Sequence, residues 1–167
     1  MATTYEPIAT TTLGTANATI TFSSIPSTYT DLRIIFNAKL TATGSTTTSS
    51  NVRFNSDTGA NYSYTYVCGN GSTGSSGAIN TTSAYLIETP NVASIWGLTT
   101  IDIFSYAGST NKTALATCSA DQNGSGILTR NVALWRSTSA INSVSLIASS
   151  STWAVGTTAT LYGILKA

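Results

Sequence analysis

Apolar and polar residues alternate along most of this chain. In TDLRIIFNAKL, Leu32, Ile34, Phe36, Ala38 and Leu40 share one face while Asp31, Arg33, Asn37 and Lys39 share the other, with Ile35 the exception. A period of two is the pattern of a half-buried strand. The same alternation runs through ANATITF, where Ala16, Ala18, Ile20 and Phe22 oppose Asn17, Thr19 and Thr21, and through NVRFN, where Val52 and Phe54 oppose Arg53 and Asn55. Further strands are predicted over 5–13, 62–68, 79–88, 98–106, 112–119, 127–136, 141–148 and 157–165, about ten or eleven in all. Segments 127–136 and 141–148 carry apolar residues on both faces, so each is expected to be covered twice or interrupted by a bulge.

Nowhere do apolar residues recur at spacings of three and four over a dozen positions behind a proper cap, so no helix is predicted. Short antiparallel strands without helices must pack sheet on sheet. The expected architecture is one all-β domain over residues 1–167, a two-layer antiparallel β-sandwich of jelly-roll type, with a closed barrel as the alternative. TATGSTTTSSN (41–51), GNGSTGSSG (69–77) and SADQNGSG (119–126) hold almost no apolar residues and read as long loops.

Composition narrows the picture. Serine and threonine make up about a third of the chain and only 8% of residues are charged, yet 41% are apolar, which is too many for disorder. Threonine, β-branched and stiff, favours strands. A net charge of +1 offers no basic patch for nucleic acid and no basic amphipathic segment for a membrane surface. No apolar run approaches a membrane-spanning length and MATTYEPIATTTLG does not read as a secretory signal, so synthesis in the cytoplasm is expected. Cys68 and Cys118 then read as two buried thiols, with a disulfide as the alternative.

The absence of histidine removes Ser-His-Asp and Cys-His nucleophilic sites and the commonest transition-metal ligand. Six carboxylic side chains, Glu6, Asp31, Asp57, Glu88, Asp102 and Asp121, are scattered over different segments, and nothing in their spacing forms a glycosidase pair. GNGSTGSSG lacks the lysine of a phosphate loop. No catalytic residue and no cofactor are expected. RFNSDTGAN is the densest polar cluster: Asn55, Asp57 and Asn61 place oxygens at spacings that suggest a calcium loop, but with a single carboxylate. A chain-reversing corner built on Asx-type bonds is the favoured reading. Tyr62, Tyr64 and Tyr66 share one face of the next strand, suited to covering a sheet or to stacking on a sugar or a protein partner.

SIPSTYTDLRI (24–34), RFNSDTGANYS (53–63), YAGSTNKT (106–113), LWRSTSAI (134–141) and LYGI (161–164), in this order, resemble a family of small virion structural proteins of tailed bacteriophages, notably phages of marine bacteria and cyanobacteria. The resemblance implies an all-β particle component and not an enzyme, serving either in capsid decoration or in a tail or fibre. The chain has no heptads or repeats with which to build a fibre, so the expected role is a capsid decoration (cement) protein on the virion surface. Its expected partners are the major capsid protein and copies of itself in a trimer. A tail or fibre-tip module binding host-surface glycans is the alternative. Candidate contact residues are Arg53, Asp57, Tyr62, Tyr64, Tyr66, Trp135 and Arg136.

Overall fold

The computed structural model describes residues 4–42, 44, 47–70, 74–92, 94–121 and 126–165. Among them are twelve strands and no helix: β1 (Tyr5–Thr12), β2 (Thr19–Phe22), β3 (Asp31–Ala38), β4 (Thr47–Phe54), β5 (Tyr62–Gly69), β6 (Gly74–Thr81), β7 (Ala84–Pro90), β8 (Gly97–Phe104), β9 (Lys112–Ala120), β10 (Ile127–Trp135), β11 (Val144–Ala148) and β12 (Thr158–Ile164). Eight form one sheet in the order β1-β12-β3-β8-β9-β10-β5-β6, and four form a second in the order β2-β11-β4-β7. Every strand pair is antiparallel. The chain is an all-β, two-layer antiparallel sandwich.

Alternation decides which side chains enter the space between the sheets. Leu32, Ile34 and Phe36 of β3 and Ile101 and Ile103 of β8 join Ile20, Phe22, Val52, Phe54, Val144 and Leu146 of the small sheet, all buried. Each such aliphatic or aromatic side chain removed from water is worth about 1.5–3 kcal/mol. Trp153, from the segment before β12, is fully buried and meets Phe36 edge-on at 4.9 Å. β7 is the edge strand of the small sheet, yet it is buried along its whole length. The large sheet is twice as wide, so β7 lies against β8, β9, β10 and β5.

Two loop expectations and one strand expectation change. The stretch 41–51 includes the first half of β4, 69–77 includes the start of β6, and the strand expected over 79–88 is two strands with a turn at Thr82 and Ser83. Positions 43, 45, 46, 71–73 and 122–125 of the three expected loops lie outside the described residues. β4 begins without hydrophobic alternation because its inward Ser50 meets a polar neighbour, Thr89 of β7, at 3.5 Å. Backbone pairing with β7 holds it as a strand regardless of propensity.

The double-faced apolar strands resolve in an unexpected way. β10 runs in unbroken register with both β9 and β5, so it carries no bulge, and its outer face is uncovered: Leu128 is 57% and Val132 42% exposed. Bulges lie elsewhere, in β1 between Pro7 and Ala9 and in β4 between Ser50 and Asn51.

Gly163 marks a close approach. A Cβ placed there would overlap the ring of Tyr29, whose hydroxyl reaches Glu6 Oε2 at 3.2 Å. Gly163→Ala is expected to lower stability by about 1–3 kcal/mol, the usual range for overpacking. Gly14→Ala, where a new Cβ meets nothing within 4 Å, serves as the matched control. Thermal melts of the two variants check this, and equal melting temperatures would refute it.

Candidate functional site

RFNSDTGAN folds into a corner between β4 and β5. Asn55 and Ser56 both adopt positive φ, 52° and 56°, a conformation that asparagine tolerates better than most residues and that turns the chain sharply. Asp57 then stands at the centre. Its Oδ1 accepts from Gly59 N at 2.8 Å, and its Oδ2 accepts from Asn61 Nδ2 at 2.9 Å and from Trp135 Nε1 at 2.7 Å. The Trp135 bond first, then those from Asn61 and Gly59, hold the Asp57 carboxyl below its ordinary pKa against the opposing effect of desolvation. Asn55 reaches the other way. Its Oδ1 accepts from the backbone N–H groups of Asn142 and Ser143, and its Nδ2 donates to Ala140 O at 2.8 Å. Of the calcium candidate Asn55, Asp57 and Asn61, the last two bond each other while Asn55 is turned to the 140–143 segment, an arrangement that builds the corner.

The contact candidates divide in the same way. Tyr62 and Trp135 are 0% and 3% exposed, so neither can reach a partner from this fold. They stack at 6.3 Å with 19° between planes, and Phe54 completes the cluster at 5.7 Å from Trp135. Burial raises the Tyr62 phenol to about 12, and its oxygen accepts from Phe54 N at 3.1 Å. Arg136 ties β10 to the corner, through its backbone N–H to Asn61 O and Nη2 to Ala60 O, while Arg53 Nε donates to Thr82 O at 3.3 Å. Both arginines brace backbone carbonyls of their own chain.

The five sequence stretches that carried the resemblance meet at this end of the sandwich. Ile25 N donates to Asn142 O, Ile141 N to Tyr106 O, and Tyr106 Oη to Pro26 O. Thr30 N donates to Ile164 O, and Lys112, fully buried, donates Nζ to Thr110 O, with desolvation lowering its pKa. These segments hold one another in place by backbone-directed bonds.

Tyr64 and Tyr66 behave differently from Tyr62. They are half-buried, and each meets Tyr85 of β7 edge-on, at 5.4 and 5.1 Å. Together with Ser49, Asn51, Thr81, Thr82 and Ser83 these three rings line a cleft of about 450 Å³ where the large sheet passes over the edge of the small one. Tyr85 was not anticipated as a site residue, because the all-buried β7 shows no alternation that would single it out. Its hydroxyl donates to Glu88 Oε1, and Asn131 Nδ2 donates to its carbonyl at 3.2 Å. Burial first, then Glu88, pushes its pKa up, so it remains a neutral phenol.

Cys68 and Cys118 form no disulfide. Both pair with Thr129, from opposite sides of β10, so they stand two strand spacings apart, about 10 Å, beyond disulfide reach.

A second surface is the outer face of the large sheet. In register across β8, β9, β10 and β5, it presents Leu98, Phe104, Leu115, Leu128, Val132 and Val67, interleaved with Thr65, Thr100, Asp102, Thr113, Thr117, Ser119 and Arg130. Val67 is 56% exposed, and Leu98 and Phe104 exceed 40%. Arg130 lies within this patch and donates Nη1 to Thr117 Oγ1 at 3.1 Å. Toward the far edge the face turns polar: Arg33 grips Asp102 with two bonds, of 2.5 and 2.9 Å, and lies over the Tyr5 ring.

No family model, curated protein or solved structure matches the chain.

The corner carries a pH dependence of definite sign. Because the folded-state pKa of Asp57 is depressed, its stabilisation is fully present above the unfolded value of about 3.9 and is lost as pH falls through the lower folded value. Asp57→Asn is expected to cost about 1.5–3 kcal/mol at neutral pH, the range for hydrogen bonds to a charged group. The deficit should shrink below pH ~4. Denaturant melts across pH measure both, and a deficit independent of pH would contradict this account.

Proposed function

We propose that this chain is a structural protein of a tailed-phage particle, a decoration (cement) protein that lies on the head as a trimer and clamps neighbouring major capsid subunits. The observation that carries this reading is the outer face of the large sheet, where Leu98, Phe104, Leu128, Val132 and Val67 stand exposed among polar, mostly hydroxyl-bearing neighbours and no other described residue covers them. Five large exposed apolar side chains on one sheet face mark it as a candidate contact surface. A central strand with apolar residues on both faces is the pattern of one covered on both sides, and a second molecule would supply the cover that the described residues do not. The order of the five stretches resembling phage virion proteins points to the same class.

The chemistry of the face suits a shell. It recognises by shape and dispersion with little charge, so docking depends weakly on salt. Individually weak contacts repeated at many equivalent positions give large total stabilisation. A jelly-roll-like reading of the fold rests on the four-strand sheet β2-β11-β4-β7, whereas the facing sheet has eight strands where a jelly roll has four.

Quantitative gels of purified particles test the placement, with hundreds of copies per particle expected and a few tens or fewer assigning the protein to the tail instead. Heads lacking the protein should rupture at lower temperature. Adding it back should restore them, whereas the Leu128→Asp, Val132→Asp double variant should fold normally but rebind at least ~10-fold more weakly, the loss that charges in an apolar contact produce.

A further inference from the structure

We propose that the Tyr64, Tyr66 and Tyr85 cleft is a binding site for a neutral saccharide. Its volume of about 450 Å³ lies inside the ~300–1,000 Å³ range of small-molecule sites. The two tyrosines of β5 stand at 79° and 76° to Tyr85, which makes an aromatic corner. The C–H face of a pyranose packs against such rings. Its hydroxyl edges then meet the rim, where Ser49, Asn51, Thr81, Thr82 and Ser83 offer small hydrogen-bonding groups.

The lining discriminates among ligand classes. None of the eight lining residues is charged, so a phosphorylated or sulfated ligand would find no counter-charge in the lining, and the Arg53 guanidinium at the rim is engaged with the Thr82 carbonyl. A lipid or an apolar peptide would strip water from five hydroxyl and amide groups without replacing their hydrogen bonds. A polyhydroxylated neutral ring satisfies both halves. The rim is also held in shape before any ligand arrives: Asn51 Nδ2 donates to Ser149 Oγ at 2.9 Å, and Thr81 Oγ1 bonds the Ser83 carbonyl across the turn. Preorganisation of this kind lowers the entropic cost of binding. The site uses none of the docking-face residues, so it stands whether or not the protein coats a head.

Titration of the full chain with hexasaccharides of glucose, galactose, mannose and N-acetylglucosamine, alongside a heparin hexasaccharide, tests the proposal by NMR of the tyrosine rings. At least one neutral member is expected to shift the Tyr64, Tyr66 and Tyr85 resonances saturably with Kd below about 5 mM. Tyr66→Ala should weaken that binding about 10-fold or more, Tyr66→Phe should retain most of it, and Asn51→Ala should lose a few-fold. If Tyr66→Ala fails to fold, Asn51→Ala still decides the matter. The proposal is overturned if no neutral sugar moves these rings at about 10 mM, if heparin alone does so, or if folded Tyr66→Ala or Asn51→Ala binds as the parent does.

Discussion

Three N–H groups, from Gly59, Asn61 and Trp135, converge on the Asp57 carboxylate, and the far end of the sandwich is organised around that convergence. The first two bonds close the turn upon itself, while the third reaches 78 residues along the chain to the end of β10. One carboxylate thereby ties a turn of the small sheet to a strand of the large one. Elsewhere the sheets meet mainly through apolar packing, which is strong but directionless, with a few further bonds such as Asn131 Nδ2 to the Tyr85 carbonyl and Phe54 N to the Tyr62 hydroxyl. A hydrogen-bonded anchor of this kind sets how one sheet sits on the other, and Asn55 repeats the device toward the 140–143 segment.

With that end committed to internal bonds, recognition falls to the remaining surfaces. Two carry little charge, with Arg130 and Asp102 on the sheet face the exceptions. The outer face of the large sheet is apolar with threonine between, and the cleft beside β7 is aromatic with a rim of hydroxyls and an amide. Both follow from a chain with 8% charged residues, in which affinity has to come from shape, dispersion and short hydrogen bonds. The charges that exist are largely turned inward or paired, as in Arg33 with Asp102 and Asp31 with the Ser105 backbone.

Much of the sandwich was legible in advance because alternation is a local property. Leu32, Ile34 and Phe36 point inward as their spacing requires, and so do Ile20, Phe22, Val52 and Phe54. Local pattern misled where the environment was polar on both sides. Ser49, Ser50 and Asn51 carry no hydrophobic signal, yet they lie in β4 because β7 offers its backbone. The aromatic stripe was only partly readable: Tyr62, Tyr64 and Tyr66 look equivalent in sequence, but the first is sealed under the corner while the other two open toward Tyr85. The signal for the outer face was present, in the apolar residues on both sides of β10. What covers them is not a property of one strand.

The amino-acid sequence by itself determined the strands with clear alternation, the inward set of side chains, the absence of histidine chemistry and the corner's turn residues. All of these depend on steric preference and polarity within a few positions. Tertiary structure alone decided the order of strands in two unequal sheets, the burial of Trp135 and Tyr62, the meeting of Tyr64 and Tyr66 with Tyr85, and the separation of the two cysteines by β10. Each is a contact between segments distant in sequence, and such contacts are selected by how the whole chain hides its apolar surface while satisfying its backbone, a condition that no single stretch can express.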